Sequence, residues 1–190
     1  MLQQPVNSNN HSTGFADKLK KAAMKSSQLM QLFEKALKDI YWAEKAMVKT
    51  IPRMIEKATD EDLAWALTKH LSETETHITR AEEIFELLNV QPEAEKCEAM
   101  VGLVRELEAI TDACEEGAMR DAGIIAAMQK IEHYEIATYG TMRQFAVTLK
   151  LYEMVDLLDL TLNEEKACNE KLSDVAMNAV NIEAAETTDQ

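Results

Sequence analysis

The sequence contains few of the residues that interrupt helices. Its 190 residues include only five glycines and three prolines, too few for the many turns of a sheet-rich domain. Alanine, glutamate, lysine, leucine and methionine are abundant instead, and all of them favour the helical conformation. A chain of this length suits one domain with short tails and can bury a sizeable core. We therefore expect an all-α protein.

Positive charge, cysteine and long apolar runs are also scarce. Thirty-four acidic residues outnumber 20 basic ones and give a net charge of −14, which argues against nucleic acid and anionic membrane surfaces as partners. Cys97, Cys114 and Cys168 are odd in number and match no zinc or CxxC spacing, so we expect no disulfide framework. No apolar run has the length of a membrane span or a signal peptide. These absences predict a cytoplasmic protein, with metal cations left open as partners.

The apolar residues recur with helical periodicity over most of the chain. Thr59 and Asp62 resemble a capping box at the start of one helix, Asn89 suits a helix C-terminus, and Pro92 suits the first turn of the next helix. Residues 1–27 are predicted to be a tail that includes one short helix, and residues 181–190 to be a second tail. The predicted helices cover residues 28–58, 59–88, 93–116, 120–149 and 152–180.

The lengths of the connections predict how these helices are arranged. Short connections join the first two long helices and the last two, so each pair is expected to form an antiparallel hairpin. The 30 residues between Leu88 and Met119 are more than a loop needs, and their apolar pattern predicts a helix that packs across the bundle. Residues 28–180 are therefore predicted to form a ferritin-like four-helix bundle with an additional crossover helix between helices 2 and 3.

Polar residues interrupt the apolar stripe of each long helix near its centre. In chain order they are Glu44, His70, Glu73, His77, Glu135, Glu165 and Asn169. An unpaired ionised carboxylate costs several kcal/mol to bury, so each needs a partner inside the protein. A faint internal repeat sets Glu44 against Glu135 and Glu73 against Glu165, which places two carboxylates in each hairpin.

Such a cluster is suited to two metal ions. Four carboxylates meeting in one core would repel each other, whereas two divalent cations balance their charge, and oxygen ligands with an imidazole suit iron or manganese. His70 is expected to support the site, and Cys168 to be a buried thiol. The predicted ligands are Glu44, Glu73, His77, Glu135 and Glu165, with Asn169 as a further polar group and Glu132 at the edge of the site.

Each of these residues also has a simpler interpretation. The acids in the stripes can be buried hydrogen-bonded or ion-paired groups without a metal. His77 can be a hydrogen-bond partner alone, and Glu132 can be a solvated surface acid. The sequence does not decide between these alternatives.

Four stretches resemble the YciF/YciE stress-protein family of ferritin-like proteins. The stretches are HLSET (70–74), RDAGIIAAMQ (120–129), KIEHYEIATYGT (130–141) and NEEKACNEKL (163–172). The resemblance implies a helical bundle that is usually dimeric, related to rubrerythrin and manganese catalase, with a dinuclear site and no settled activity. By position, that site uses Glu44, Glu73, His77, Glu135 and Glu165.

The sequence departs from the usual ligand pattern of such bundles. Ferritin-like di-iron proteins carry Glu-x-x-His pairs three residues apart, but Glu73 and His77 are four apart, and the second hairpin has Asn169 in place of a histidine. We therefore expect an asymmetric metal site.

Two functions are consistent with the sequence, which leaves open whether the protein is an enzyme. In the first, two iron or manganese ions carry out redox chemistry on peroxide or dioxygen. In the second, a metal-free helical homodimer acts through its surface as a structural or interaction protein in the stress response.

Overall fold

The computed structural model describes residues 27–186, and every regular element in that range is helical. Four long helices and one shorter helix make up the bundle, and a π-helical turn with a last short helix follows. The helices are α1 (Gln28–Lys57), α2 (Glu61–Leu88), α3 (Glu98–Ala113), α4 (Ala118–Leu149), α5 (Tyr152–Val175) and α6 (Asn181–Glu186).

The four long helices have the connectivity that was predicted. α1 and α2 form one antiparallel hairpin, and α4 and α5 form the other. Tyr139 of α4 contacts Glu44 of α1, and Arg80 of α2 contacts Thr161 of α5, so the two hairpins lie side by side. α3 returns the chain along the bundle, packed mainly against α4. The all-α bundle with a crossover helix between its second and third long helices is therefore confirmed.

The crossover helix begins later than the sequence suggested. The interpretation of Pro92 as a first-turn residue was wrong, because the helix starts at Glu98. The side chain of Glu93 pairs with Lys38 Nζ at 2.5 Å, and the backbone N–H of Glu95 donates to the Lys38 carbonyl at 3.2 Å. These contacts with α1 hold the preceding segment in a non-helical conformation. Tertiary contacts have thus overridden the local helix signal.

The turn between α1 and α2 is tied to the start of α4. Asp60, and not the predicted Thr59, is the N-cap of α2, because its side chain accepts from the Leu63 N–H at 2.8 Å. Thr59 donates instead to the buried carboxylate of Asp121, through its backbone N–H at 2.9 Å and its hydroxyl at 2.6 Å. Asn89 caps the C-terminus of α2 in the left-handed conformation, with φ of 60°, as predicted.

The C-terminal part of the chain is more helical than expected. After α5 the chain passes through a π-helical turn at Ala176–Val180 into α6, so the predicted tail is helical as far as Glu186. The predicted N-terminal tail and short helix lie outside the described residues, apart from Ser27, whose side chain caps α1. Within residues 27–186, no helix is long and apolar enough to cross a lipid bilayer.

The apolar stripes of the sequence form one continuous core. Large side chains such as Phe33, Ile40, Met47 and Ile131 are fully buried in it. Of the polar residues that interrupt the stripes, Glu44, His70, His77, Glu135 and Glu165 are buried as deeply as their apolar neighbours, whereas Glu73 and Asn169 are only partly buried. The bundle therefore carries acids and imidazoles in its interior.

Candidate metal centre

All four long helices contribute side chains to a central cluster of carboxylates and imidazoles. Every member has at most 1% of its surface exposed. α1 supplies one member, α2 two, α4 two and α5 one. The members are Glu44, His70, His77, Glu132, Glu135 and Glu165.

One part of the cluster, which we name position A, consists of Glu44, His77 and Glu165. One ligand atom from each residue can be chosen so that all three lie within 4.8 Å of one another. Nδ1 of His77 is 2.9 Å from Oε1 of Glu165 and 3.6 Å from Oε2 of Glu44. An imidazole nitrogen and two carboxylates thus converge on one point.

A second part, position B, consists of His70, Glu132, Glu135 and Glu165. Their ligand atoms also lie within 4.8 Å of one another. Nε2 of His70 is 3.3 Å from Oε1 of Glu132, and the Cys168 thiol donates to the same oxygen at 3.3 Å. Glu165 belongs to both positions, so its carboxylate can bridge two ions.

Most polar atoms of the cluster have no hydrogen-bond partner. Within residues 27–186, nine buried side-chain nitrogens and oxygens lack one, and eight of these belong to the cluster. His77 Nδ1 and Glu165 Oε1 are close together but are not aligned as donor and acceptor. Each buried polar atom without a partner costs about 1–3 kcal/mol. The eight atoms are both nitrogens of His70, Nδ1 of His77, Oε2 of Glu132, and both carboxylate oxygens of Glu135 and Glu165.

The pKa values in the cluster reflect the burial and crowding of its charged groups. Burial, reinforced by the charge of Glu165, raises the pKa of Glu132 and Glu135 well above the ordinary value. Burial also lowers the pKa of His70 to about 4. Burial disfavours the charged form of His77 as well, but the adjacent carboxylates of Glu165 and Glu44 outweigh it and raise the pKa to about 11. One imidazolium does not balance four carboxylates, so part of the cluster must take up protons.

Residues around position A hold its ligands in place. Nε2 of His77 lies 2.9 Å from Oε2 of Glu164, and Arg80 binds that carboxylate with both terminal nitrogens of its guanidinium. The hydroxyl of Tyr139 donates to Oε1 of Glu44 at 2.5 Å. A histidine that binds metal commonly contacts a carboxylate through its other nitrogen, which fixes the orientation of the ring.

The structure brings together five of the seven residues predicted as ligands or edge residues. Two of the predicted residues lie outside the cluster. The carboxylate of Glu73 is 19% exposed and pairs with Lys69 one turn earlier, because Thr74 occupies the buried face at this level. Asn169 is half-buried, and its side chain accepts from Gln129 of α4 at 3.4 Å. The five that converge are Glu44, His77, Glu132, Glu135 and Glu165.

The sequence interpretation gave His70 and Cys168 only supporting roles, but both adjoin the ligand atoms of position B. His70 precedes His77 by seven residues, which is two helical turns, so both rings lie on one face of α2. Cys168 follows Glu165 by three residues and shares its face of α5. The same spacing relates Glu132 to Glu135 on α4, and the complete burial of Glu132 rules out the surface position considered for it. Spacings of three or seven residues from the predicted ligands could therefore have identified these additional members of the cluster from the sequence.

This connectivity, with carboxylates and imidazoles from all four long helices at mid-bundle, defines a ferritin-like helical protein. The chain belongs to the family described as a domain of unknown function, DUF892, whose sequence profile matches residues 28–185. The resemblance to the YciF family is thereby confirmed.

Similar proteins cover most of the chain. Protein YciF of Escherichia coli strain K12 is 38% identical over 162 residues, which are 85% of this chain and 98% of YciF. The crystal structure of that protein, described as a stress protein, matches with a TM-score of 0.78 over 82% of this chain and 98% of its own. YcfI of Rhodopseudomonas palustris, for which a structural role has been suggested, is 41% identical, with a TM-score of 0.77 over 79% of this chain and 96% of its own. A protein of Xanthomonas campestris shares the fold. It is 20% identical, with a TM-score of 0.62 over 85% of this chain and 100% of its own.

Proposed function

We propose that the protein binds two divalent metal ions, iron or manganese, at positions A and B and uses them in redox chemistry on peroxide or dioxygen. The observation that carries this proposal is the group of eight buried nitrogens and oxygens without partners at the centre of the bundle. Buried polar groups are almost always satisfied by protein, water or metal. These eight belong to residue types that bind metals. At position A, and likewise at position B, one ligand atom from each residue lies within 4.8 Å of the others.

The charge of the cluster supports two ions over one. Two divalent cations balance the four carboxylates of Glu44, Glu132, Glu135 and Glu165, and each position then also has one imidazole. Carboxylates with few imidazoles suit hard or borderline ions such as manganese and iron. Glu165 would help to hold an ion at either position, because it belongs to both groups of candidate ligands.

Each residue around the centre has a definite task in this proposal. Glu164 and Arg80 hold the His77 ring so that Nδ1 points toward Glu44 and Glu165. Tyr139 orients the carboxylate of Glu44 by hydrogen bonding. The nearly complete burial of the cluster restricts access to small molecules, which fits peroxide and dioxygen as substrates. Iron or manganese, when bound, supplies the changes of oxidation state that such chemistry needs.

A cellular role in the stress response accompanies this chemistry. Escherichia coli YciF, which is described as a stress protein, is similar over nearly its whole length. Removal of an oxidant such as peroxide is a reaction that protects a cell under stress. We further propose that the protein is a cytoplasmic homodimer. Sedimentation analysis in solution tests the dimer, since a mass of one chain at micromolar concentration contradicts it.

The alternative function is that of a metal-free helical homodimer that acts as a structural or interaction protein. The role suggested for Rhodopseudomonas palustris YcfI favours it. In this alternative the cluster acids are protonated in part, and the raised pKa of Glu132 and Glu135 agrees with that state. Metal content separates the two functions, because the alternative requires none.

The decisive experiment is metal analysis of protein produced with iron or manganese supplied. We expect about two ions per chain, located at positions A and B by anomalous scattering at the iron and manganese edges. Glu44→Ala is expected to lose the ion at position A, and Glu165→Ala to lose both. Glu170→Ala, at an exposed position on α5, serves as the control and should retain both. Metal-free protein whose thermal stability does not respond to a chelator would establish the alternative.

A further inference from the structure

Positions A and B differ in one chemical respect, which is the thiol of Cys168. The side chain is buried beside position B, and its sulfur lies 3.3 Å from Oε1 of Glu132. One ligand atom each from His70, Glu132 and Cys168 can be chosen so that all three lie within 4.8 Å of one another. No cysteine takes part in the corresponding group at position A.

The spacing of these three side chains fits a single metal ion. Tetrahedral zinc binds nitrogen and oxygen at about 2.0–2.2 Å and sulfur at about 2.3 Å, so neighbouring ligand atoms are separated by about 3.3–3.8 Å. Oε1 of Glu132 is 3.3 Å from His70 Nε2 and 3.3 Å from Cys168 Sγ. Glu132 Oε1 thus already lies, from both the imidazole nitrogen and the sulfur, at nearly the separation that a shared ion imposes.

The hydrogen bond from Cys168 to Glu132 does not by itself account for this group. Both ring nitrogens of His70 and the other carboxylate oxygen of Glu132 remain without hydrogen-bond partners, although both side chains are almost fully buried. A thiol placed only to satisfy Glu132 leaves all three of those atoms unsatisfied. An ion at this point contacts a nitrogen, an oxygen and the sulfur together.

Building on the proposed dinuclear centre, we propose that Cys168 binds the ion at position B as a thiolate and gives position B a different metal preference from position A. The thiol proton is released to solvent when the ion binds. Thiolate favours iron(II), zinc and cobalt(II) over manganese, whereas carboxylates accept manganese readily. Position B is therefore selective against manganese, and position A is not.

Cobalt(II) is the probe that tests this assignment, because its bond to a thiolate produces a charge-transfer absorption that carboxylate and imidazole ligands do not produce. Titration of the metal-free wild-type protein with cobalt(II) is expected to show this absorption, equivalent to one thiolate per chain. X-ray absorption of the same sample should show one sulfur scatterer at about 2.3 Å. Zinc should remove the signal by competition, and manganese at equal concentration should not.

Matched cysteine variants locate the sulfur. In Cys168→Ser the hydroxyl can still donate to Glu132, so we expect the fold to persist. The charge-transfer band should disappear, and the preference for zinc over manganese at position B should fall at least tenfold. Cys97→Ser and Cys114→Ser remove the two other cysteines, neither of which forms a disulfide. Both variants should retain the band. Glu44→Gln should lose the ion at position A and also retain the band. Thermal unfolding of each metal-free variant verifies that it is folded.

The possible outcomes distinguish this inference from the proposed function. If cobalt binds without a sulfur signal in absorption or scattering, Cys168 is not a ligand, and the dinuclear proposal stands without it. If the band persists in Cys168→Ser or disappears in Glu44→Gln, the assignment of the thiolate to position B is wrong. If no metal binds at all, both proposals fail together.

Discussion

Glu165→Gln tests the central geometric claim, which is that one carboxylate serves two ions. Glu165 contributes to both groups of ligand atoms, whereas Glu44 contributes only to position A and Glu135 only to position B. The glutamine is nearly the same size but carries no charge. We therefore expect Glu165→Gln to abolish binding of both ions, and Glu44→Gln or Glu135→Gln to abolish one.

Glu165→Gln is expected to lower the thermal stability of the protein relative to the wild type when metal is present, but not when metal is absent. An ion present at 100 times its dissociation constant stabilises the folded state by about 2.7 kcal/mol, which raises the unfolding temperature of a domain of this size by roughly 5–11 °C. Two ions then give roughly 10–20 °C in the wild-type protein and none in Glu165→Gln. Without metal, removal of the Glu165 charge relieves its repulsion with Glu132 and Glu135. His77 loses its contact with Glu165 but keeps the carboxylates of Glu44 and Glu164, so the variant should be as stable as the wild type or more stable.

Calorimetry with and without a chelator measures both parts of this prediction, and elemental analysis gives the number of ions. Glu170→Gln, an exposed position on the same helix, is the matched control and should behave as the wild type. Retention of both ions by Glu165→Gln would refute the shared ligand. Destabilisation of the metal-free variant by several kcal/mol would instead show that Glu165 holds the fold together without a metal.

Three further predictions follow from the same contacts. Above pH 6.5 the metal-free protein should lose stability as the pH rises, because His77 and the cluster carboxyls hold protons more tightly when folded. Glu135→Gln should flatten that slope in urea unfolding curves. Tyr139→Phe leaves an oxygen of Glu44 without its donor and should cost about 1–3 kcal/mol in metal-free protein, measured by urea unfolding. Glu164→Gln weakens the support of His77 and should lower metal affinity about 10–100-fold in a competition titration.

Each of these predictions has a control and a contrary result. The pH slope is measured above 6.5 because His70, with its pKa lowered to about 4, acts in the opposite direction below that value. A slope equal in Glu135→Gln and wild type would show that this carboxyl does not titrate with folding. Tyr41→Phe, which loses a partly exposed bond to Glu82, should cost less than Tyr139→Phe. Unchanged affinity in Glu164→Gln would mean that packing alone orients the His77 ring.

The helices were predictable where local signals and tertiary contacts agree. Asn89 ends α2 as expected because its left-handed conformation needs no distant partner. The start of the crossover helix was not predictable, because contacts of Glu93 and Glu95 with α1 prevent the helix from beginning near Pro92. An ion pair between residues 55 apart in sequence cannot be recognised from the periodicity of the sequence.

The buried polar cluster was predictable in kind but not in every member. Glu44, Glu135 and Glu165 were identified because charged residues in apolar stripes require a partner. Glu73 was predicted from the same stripe pattern, from the internal repeat and from the family resemblance, but the buried face of α2 passes through His70, Thr74 and His77 instead. Adjacent residues of a helix point about 100° apart, and this difference places Thr74 on the buried face and Glu73 at the edge of the cluster.

The two proposed metal positions are supported unequally by the residues around them. At position A, Glu164 fixes His77 and Tyr139 fixes Glu44 before any ion arrives. At position B, both nitrogens of His70 lack hydrogen-bond partners, so no hydrogen bond orients the ring before an ion binds. Ligands that are already oriented bind with a smaller loss of conformational entropy. Position A should therefore fill first, and the ion bound there would orient Glu165 and lower the repulsion that the second ion must overcome.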